Sequence, residues 1–290
     1  MADFKSAQEI LFMVREKGLT LSRAAQEWEK ETSGRELIDI RQEMRERLLV
    51  MRQAARKGLE EDIKSPSGLI GGGGKLLEQA RRENKLLSGG TTARAITIAL
   101  AIAEVNACMG KIVAAPTAGS CGILPGVLLA LEEEKKLSEE TLIDGLFTAA
   151  GVGMIMASIA SLSGAALGCQ AEVGAATAMA AAAAVEMAGG SPWQAMDAAA
   201  IALKGLMGLV CDPVGGLVEI PCVKRNALGA AHALAAADIA LAGLKSFIPL
   251  EEVIEALVKV GRSLPPELKE TAEGGIAICP TAQKLVSQLV

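Results

Sequence analysis

Aromatic residues are almost missing from this 290-residue chain, which has no Tyr, two Trp and four Phe, together 2% of the sequence. Hydrophobic residues still make up 51%, so the apolar mass is Ala, Leu, Val, Ile and Met, alongside 31 Gly. Ala and Leu favour helices, and few segments alternate apolar and polar residues with the period of a strand. We therefore predict an all-α protein, a compact bundle of closely packed Ala- and Gly-rich helices.

Other features that are lacking exclude whole classes of protein. The net charge is −5 and the basic residues are scattered, so we expect no nucleic-acid partner. Residues 1–5 lead into a charged amphipathic stretch rather than an apolar signal segment, which favours a cytoplasmic location. Residues 145–170 carry no charge, but they lack a flanking basic cluster and an aromatic belt. We expect these residues to form buried core helices, with no membrane association.

The chain divides at a loop that contains Ser65-Pro66-Ser67-Gly68 and four consecutive glycines at 71–74. Residues 1–60 are highly charged and place apolar side chains at helical spacing, which predicts an amino-terminal charged helical arm or subdomain. Residues 61–290 are predicted to form a second, larger α-helical domain. Within it, Ser138 is a predicted helix start and Gly261 a predicted helix end.

Six cysteines in a chain without an export signal favour free thiols over a disulfide framework. Cys169, Cys211 and Cys222 border Gly- or Pro-bearing segments, with 41 and 10 residues between successive members. This spacing differs from a ferredoxin run, and by itself it favours buried structural thiols. The charges of Lys224 and Arg225 stand at a predicted helix start, where positive charge is unfavourable, and they indicate an anionic ligand.

The residues that flank the three cysteines carry a more specific signal. The segments are Cys169-Gln170-Ala171-Glu172-Val173-Gly174, Cys211-Asp212-Pro213-Val214-Gly215-Gly216, Pro221-Cys222-Val223-Lys224-Arg225-Asn226-Ala227, Glu104-Val105-Asn106-Ala107, Ala115-Pro116-Thr117-Ala118-Gly119 and Lys269-Glu270-Thr271-Ala272-Glu273-Gly274-Gly275. Together, over about residues 65–280, the chain resembles the iron–sulfur-dependent L-serine dehydratases, specifically their α, cluster-bearing part. A Ser-Ser-His-Thr type motif of the β part is absent from these residues. The resemblance therefore implies a two-subunit enzyme, with a separate β subunit.

The resemblance implies that residues 61–290 are a cluster-binding α-helical catalytic domain. It implies a lyase that converts L-serine into pyruvate and ammonia with a [4Fe–4S] cluster and without pyridoxal phosphate. It implies that Cys169, Cys211 and Cys222 are the cluster ligands and that the serine hydroxyl binds the remaining open iron. Cys279, in the carboxy-terminal tail, is a further candidate, as a fourth ligand when substrate is absent.

Several residues are candidates for the substrate site and for the base that removes the α-proton. Backbone N–H groups and hydroxyls that precede predicted helices, and polar residues beside Cys222, are suited to hold the substrate. The predicted substrate-binding residues are Thr91, Thr92, Thr117, Gly119, Lys224, Arg225 and Asn226. The catalytic candidates in this chain are Lys224, Glu172 and His232, and a histidine of the partner is a further candidate, so the base stays unassigned.

The sequence leaves other functions open. An L-cysteine desulfidase or a threonine dehydratase would use the same cluster on a different substrate. A non-catalytic iron–sulfur redox or sensor protein would need a permanent fourth ligand in place of the open iron.

Overall fold

The computed structural model describes residues 5–289, so residues 1–4 and 290, at the outer ends of the two predicted domains, lie outside the described residues. The described part holds thirteen α-helices, five short 3₁₀ helices and no strand, which confirms the predicted all-α class. The helices are α1 (Lys5–Glu16), α2 (Leu21–Ser33), α3 (Leu37–Glu60), α4 (Gly73–Arg82), α5 (Gly90–Ala107), α6 (Ile123–Lys135), α7 (Glu139–Ile159), α8 (Gly164–Leu167), α9 (Val173–Met187), α10 (Pro192–Gly205), α11 (Cys222–Leu241), α12 (Leu250–Ser263) and α13 (Pro280–Ser287).

Helix α9 lies at the centre of the bundle and packs against α6, α7, α10 and α11. Every residue of α9 except Glu186 is buried. Its long Ala run favours helix formation and protrudes little from the helix surface, so neighbouring helices approach closely. The site described below depends on this packing, because one of its cysteines stands just before α9 and another begins α11.

Helix α7 is the one helix in residues 5–289 with the length and composition of a membrane span, and 67% of its apolar window is buried inside the protein. It packs against α2 and against the central α9. Ser138 caps its first turn, since its Oγ accepts a hydrogen bond from the backbone N–H of Thr141 at 3.2 Å. The helix start at Ser138 is therefore confirmed, and this burial is typical of a core helix.

Arginines of α3 join the amino-terminal helices to the rest of the chain. Arg41 lies 2.6 Å from Asp144 and Arg52 lies 2.6 Å from Glu139, both on α7. Buried side chains of α1, α2 and α3 belong to the same hydrophobic core as those of α5 to α12. Helix α3 ends at Glu60, which is the predicted boundary between the two domains. Residues on both sides of this boundary share one hydrophobic core, so the division into two domains stays a prediction.

Helix α12 continues to Ser263, past the glycine that was predicted to end it. A Cβ at Gly261 would lie 2.8 Å from two atoms of Leu167 and 2.9 Å from Nε2 of Gln170. Glycine at this position lets α12 approach the segment that carries Cys169. Its role is close packing rather than helix termination, which corrects the sequence-based boundary.

We predict that Glu78 makes the stability of the fold depend on pH. Its carboxylate accepts hydrogen bonds from Arg81, Arg82 and Arg94. These interactions, of which the hydrogen bond from Arg81 has the largest effect, lower the pKa of Glu78 to about 2. Because folding favours the ionised form, the stabilisation is present above the usual glutamate pKa and is lost as the pH falls towards 2.

Replacing Glu78 by Gln should lower the free energy of unfolding by about 1 kcal/mol near neutral pH and by much less near pH 2.5. Urea denaturation of both proteins at the two pH values measures the difference. The exposed Glu134 offers a matched Glu→Gln control that should show no such change with pH. An equal destabilisation by Glu78→Gln at both pH values would contradict the prediction.

Candidate functional site

Three separate segments bring Cys169, Cys211 and Cys222 together, as free thiols. Cys169 begins a 3₁₀ turn before α9, Cys211 lies in the loop after α10, and Cys222 is the first residue of α11. The Cys211 thiol donates a hydrogen bond to the sulfur of Cys169, which lowers the pKa of Cys169 and raises that of Cys211. Burial raises the pKa of Cys222 to about 12, and a charge on Cys169 adds to this rise. All three thiols therefore interact electrostatically in one place.

The potential metal donors that meet here are three thiols, the ligand type that holds iron–sulfur clusters. Residues 5–289 contain no group of three or more His, Cys, Asp or Glu side chains arranged to hold a metal ion. Three thiols are the donor set of a four-iron cluster with one open iron, and the ligands of a cluster stand farther apart than those of one ion. Gly164 packs closely against them, since a Cβ there would lie 3.1 Å from Sγ of Cys211.

Asp212, next to Cys211, joins three parts of the site. Its carboxylate accepts one hydrogen bond from Nη2 of Arg225 at 2.8 Å and another from the backbone N–H of Ile276 at 2.9 Å. A second nitrogen of Arg225, Nη1, donates to the carbonyl of Val210 at 2.9 Å. The anion indicated by the positive charge at the start of α11 is therefore Asp212 of the same chain.

The carboxy-terminal tail runs alongside the Cys211 loop. The backbone N–H of Cys211 donates to the carbonyl of Leu268 at 2.9 Å, and that of Glu270 donates to the carbonyl of Cys211 at 2.8 Å. These bonds form an isolated parallel bridge between Cys211 and Lys269. Sequence reasoning gave no role to Glu270, although the family-like segment at 269–275 was a signal that this part of the tail belongs to the site.

Asn226 fixes the loop at 119–122 to the first turn of α11. Its Nδ2 donates to the carbonyls of Gly119 at 2.8 Å and Cys222 at 2.9 Å, while its Oδ1 accepts from the backbone N–H of Gly122 at 2.9 Å. The side chain is buried. Asn226 was predicted to contact the substrate. In the structure both its Oδ1 and its Nδ2 make hydrogen bonds within the chain, and these bonds position Cys222 and the loop.

Glu172 places a half-buried carboxylate beside the cysteines. A Cβ at Gly164 would lie 2.6 Å from its Oε2, and a Cβ at Gly119 would lie 3.8 Å from both of its oxygens. Burial raises the pKa of Glu172, and a hydrogen bond from the hydroxyl of Thr117 partly opposes this rise. Three of the residues predicted for the site, Glu172, Thr117 and Gly119, therefore share one location.

Thr91 and Thr92 lie in the first turn of α5, far from the other predicted residues. The last turn of α5 carries Asn106, whose Nδ2 donates to the carbonyl of Ala118 at 3.1 Å and so lies near the site. At 1.5 Å per residue, Thr91 stands about 22 Å from Asn106 along the helix. The structure thus places the two threonines at the opposite end of α5.

The remaining candidates lie at different distances from the thiols. His232 is ten residues beyond Cys222 on α11, about 15 Å along the helix, and its ring Nε2 lies 3.1 Å from the carbonyl oxygen of Ala202. Lys224 is exposed, and it follows Cys222 by two residues, which is about 200° around the helix. Cys279 is exposed immediately before α13. None of these placements shows contact with the three thiols, and the roles predicted for them stay predictions.

Comparison with known proteins identifies the family. The family model described as serine dehydratase alpha chain matches residues 16–277. A Bacillus subtilis protein named "Probable L-serine dehydratase, alpha chain" is 49% identical over 286 residues, covering 99% of this chain and 95% of its own. A Peptoniphilus asaccharolyticus protein named "L-serine dehydratase, alpha chain" is 41% identical over 280 residues, covering 97% of this chain and 96% of its own. The chain belongs to the serine dehydratase alpha chain family.

A longer relative matches this chain over part of its length. The Streptomyces coelicolor protein named "L-serine dehydratase" is 37% identical over 283 residues, which cover 95% of this chain and 61% of the relative. That protein therefore carries additional sequence in the same polypeptide, beyond the part that corresponds to this chain.

We predict that removing the Asn226 amide loosens the cysteine site. Asn226→Ala leaves the carbonyl of Gly119 and the N–H of Gly122 without their partner, and it should lower the free energy of unfolding by about 2–4 kcal/mol. Asn106→Ala removes a single hydrogen bond to the same loop, and that bond is exposed to solvent. This variant should lower the free energy of unfolding by less than about 1 kcal/mol. Urea denaturation of both variants checks this, and equal losses would contradict the prediction.

Proposed function

We propose that this chain is the cluster-bearing α subunit of an L-serine ammonia-lyase, which eliminates water from L-serine to give pyruvate and ammonia. Its family relatives are named as L-serine dehydratases, so the enzyme class is lyase. The observation that carries the proposal is the meeting of Cys169, Cys211 and Cys222 as free thiols in a chain of this family.

Cys169, Cys211 and Cys222 would hold a [4Fe–4S] cluster. When bound, the cluster supplies a Lewis acid that can polarise the serine hydroxyl, which is otherwise a poor leaving group, and no pyridoxal phosphate is required. Asp212 and Arg225 hold the segments that carry Cys211 and Cys222 against each other. Cys222 is the first residue of α11, and Cys169 lies in the turn that precedes α9. Both cysteines therefore stand at the amino-terminal end of a helix, where a negatively charged thiolate is favoured.

The substrate would lie between the thiols and the loop at 117–119. Thr117 and Gly119 stand beside the Glu172 carboxylate, where the Thr117 hydroxyl donates to that carboxylate and Gly119 offers a backbone N–H to an amino acid. Thr91 and Thr92 have no part in this proposal, because they lie at the other end of α5. Arg225 would not contact the substrate directly, because its guanidinium is paired with Asp212, and it would instead hold the Cys211 loop in place.

The base that takes the α-proton would come from a partner β subunit. His232 is distant along α11, and Lys224 is exposed on another side of that helix from Cys222. The naming of the relatives as alpha chains supports a partner subunit, and the Streptomyces coelicolor relative holds additional sequence in one polypeptide. The working enzyme would be a cytoplasmic heteromer that acts on a small amino acid, without a nucleic-acid or membrane partner.

We predict that three cysteines, and not the others, determine cluster content. Anaerobic reconstitution of the α chain with iron and sulfide should give an absorbance band at roughly 400 nm. Replacing Cys169, Cys211 or Cys222 by Ala should abolish the band and most of the bound iron, because each removes one ligand. Replacing Cys108 or Cys121 by Ala provides the matched control and should leave both unchanged. A full iron and sulfide load in Cys211→Ala would overturn the ligand assignment.

We predict that the reconstituted complex of this chain with its β subunit forms pyruvate from L-serine. Pyruvate release is compared for L-serine and L-cysteine, and 2-oxobutanoate release for L-threonine, each with the complex and with the α chain alone. A preference for L-cysteine or L-threonine would replace the proposed substrate. Reversible reduction of the cluster, without turnover and without a serine-dependent change in its EPR signal, would favour a redox or sensor protein.

A further inference from the structure

The Glu172 carboxylate pairs with no cationic side chain among those that the structure describes, at residue 10 and residues 12–289, although it is half-buried. The neutral hydroxyl of Thr117, which also lies 3.2 Å from Oγ of Ser120, acts on this carboxylate as a hydrogen-bond donor and lowers its pKa. A carboxylate that loses water on burial without gaining a cation is destabilised in its charged form. The folded chain therefore carries an uncompensated acidic group at the edge of the cysteine site.

The arginine of the cysteine site is already paired within the chain. Arg225 donates from Nη2 to Asp212 and from Nη1 to the carbonyl of Val210. The Asp212 carboxylate is thus compensated within the chain, and the Glu172 carboxylate is not. A positive group that pairs with Glu172 would therefore come from outside the described side chains of this chain.

The position of Glu172 shows what such a group would meet. The carboxylate of Glu172 and the sulfur of Cys211 both lie against Gly164, because a Cβ there would lie 2.6 Å from Oε2 and 3.1 Å from Sγ. The charge of Glu172 also acts on Cys169 and Cys222, so its carboxylate influences all three thiols. The carboxylate therefore faces the space beside the thiols, where the proposed function places the amino acid.

We propose that Glu172 binds the α-ammonium group of the substrate and that Thr117 orients its carboxylate for this contact. The inference rests on the proposed function and adds the residue that selects an amino acid. A Lewis acid that binds hydroxyl and carboxylate oxygens would accept a 2-hydroxy acid equally well. An uncompensated carboxylate beside the substrate favours the ammonium compound through a charge-assisted hydrogen bond.

The test compares L-serine with L-glycerate, which has the same skeleton and a hydroxyl in place of the ammonium group. In the reconstituted α–β complex, Glu172→Gln should raise the KM for L-serine roughly 10- to 100-fold, since it removes one charged hydrogen bond. The kcat for L-serine and the inhibition constant of L-glycerate should each change less than about threefold, because neither depends on the ammonium contact.

Two further variants complete the test. Thr117→Val, which removes the orienting hydroxyl, should raise the KM for L-serine about threefold and leave the L-glycerate constant unchanged. Glu134→Gln, at an exposed position, is the matched control and should change neither constant. Iron and sulfide content is measured for each variant. If Glu172→Gln does not take up the cluster, the ratio of the KM for L-serine to the inhibition constant of L-glycerate in Thr117→Val tests the inference instead.

The outcomes separate the inference from the function on which it rests. A kcat reduced 100-fold or more with an unchanged KM would make Glu172 a general base and overturn the ammonium assignment. Equal weakening of L-serine and L-glycerate, or an unchanged ratio in Thr117→Val when Glu172→Gln does not load, would also overturn it. Absence of L-serine turnover in the unmodified complex would instead overturn the proposed function.

Discussion

The ion pair between Asp212 and Arg225 is the interaction on which the cysteine site depends. Both side chains are largely buried, with 3% of the Asp212 side chain and 16% of the Arg225 side chain exposed. The pair links the Cys211 loop to the first turn of α11, and the bond from Ile276 adds the tail. Removing one partner would leave a buried charge uncompensated, at a cost of about 3–5 kcal/mol. The relative positions of Cys211 and Cys222 thus depend on charge compensation within the chain.

Close packing of small residues sets the rest of the geometry. The Ala-rich α9 is surrounded by four helices, and its first turn follows Cys169 directly. Gly261 lets α12 approach that turn, and Gly164 packs closely against Cys211. Few large side chains fill these contacts, so the thiols are positioned by backbone segments at short range. A site built in this way keeps its polar groups at helix starts and in loops.

Charge is distributed unevenly around the thiols. Asp212 is neutralised by Arg225, whereas the carboxylates of Glu172 and Glu270 lie near Cys211 without an ion pair to any side chain that the structure describes. Negative charge near a thiol opposes the thiolate, while helix starts and Arg225 favour it. Binding a positively charged cofactor core and a substrate with an ammonium group would relieve this imbalance. The composition of the site therefore agrees with a lyase acting on an amino acid.

The sequence by itself determined the helical class, because Ala-rich segments without period-two alternation have few other ways to fold. It also marked Cys169, Cys211 and Cys222 through their flanking residues, and the helix start at Ser138, since capping is a local interaction. Tertiary structure alone decided that Arg225 pairs with Asp212, that the tail reaches Asp212 through Ile276, and that Thr91 lies far from the thiols. Such contacts join residues that are distant in sequence, so they follow from how the helices pack rather than from local patterns.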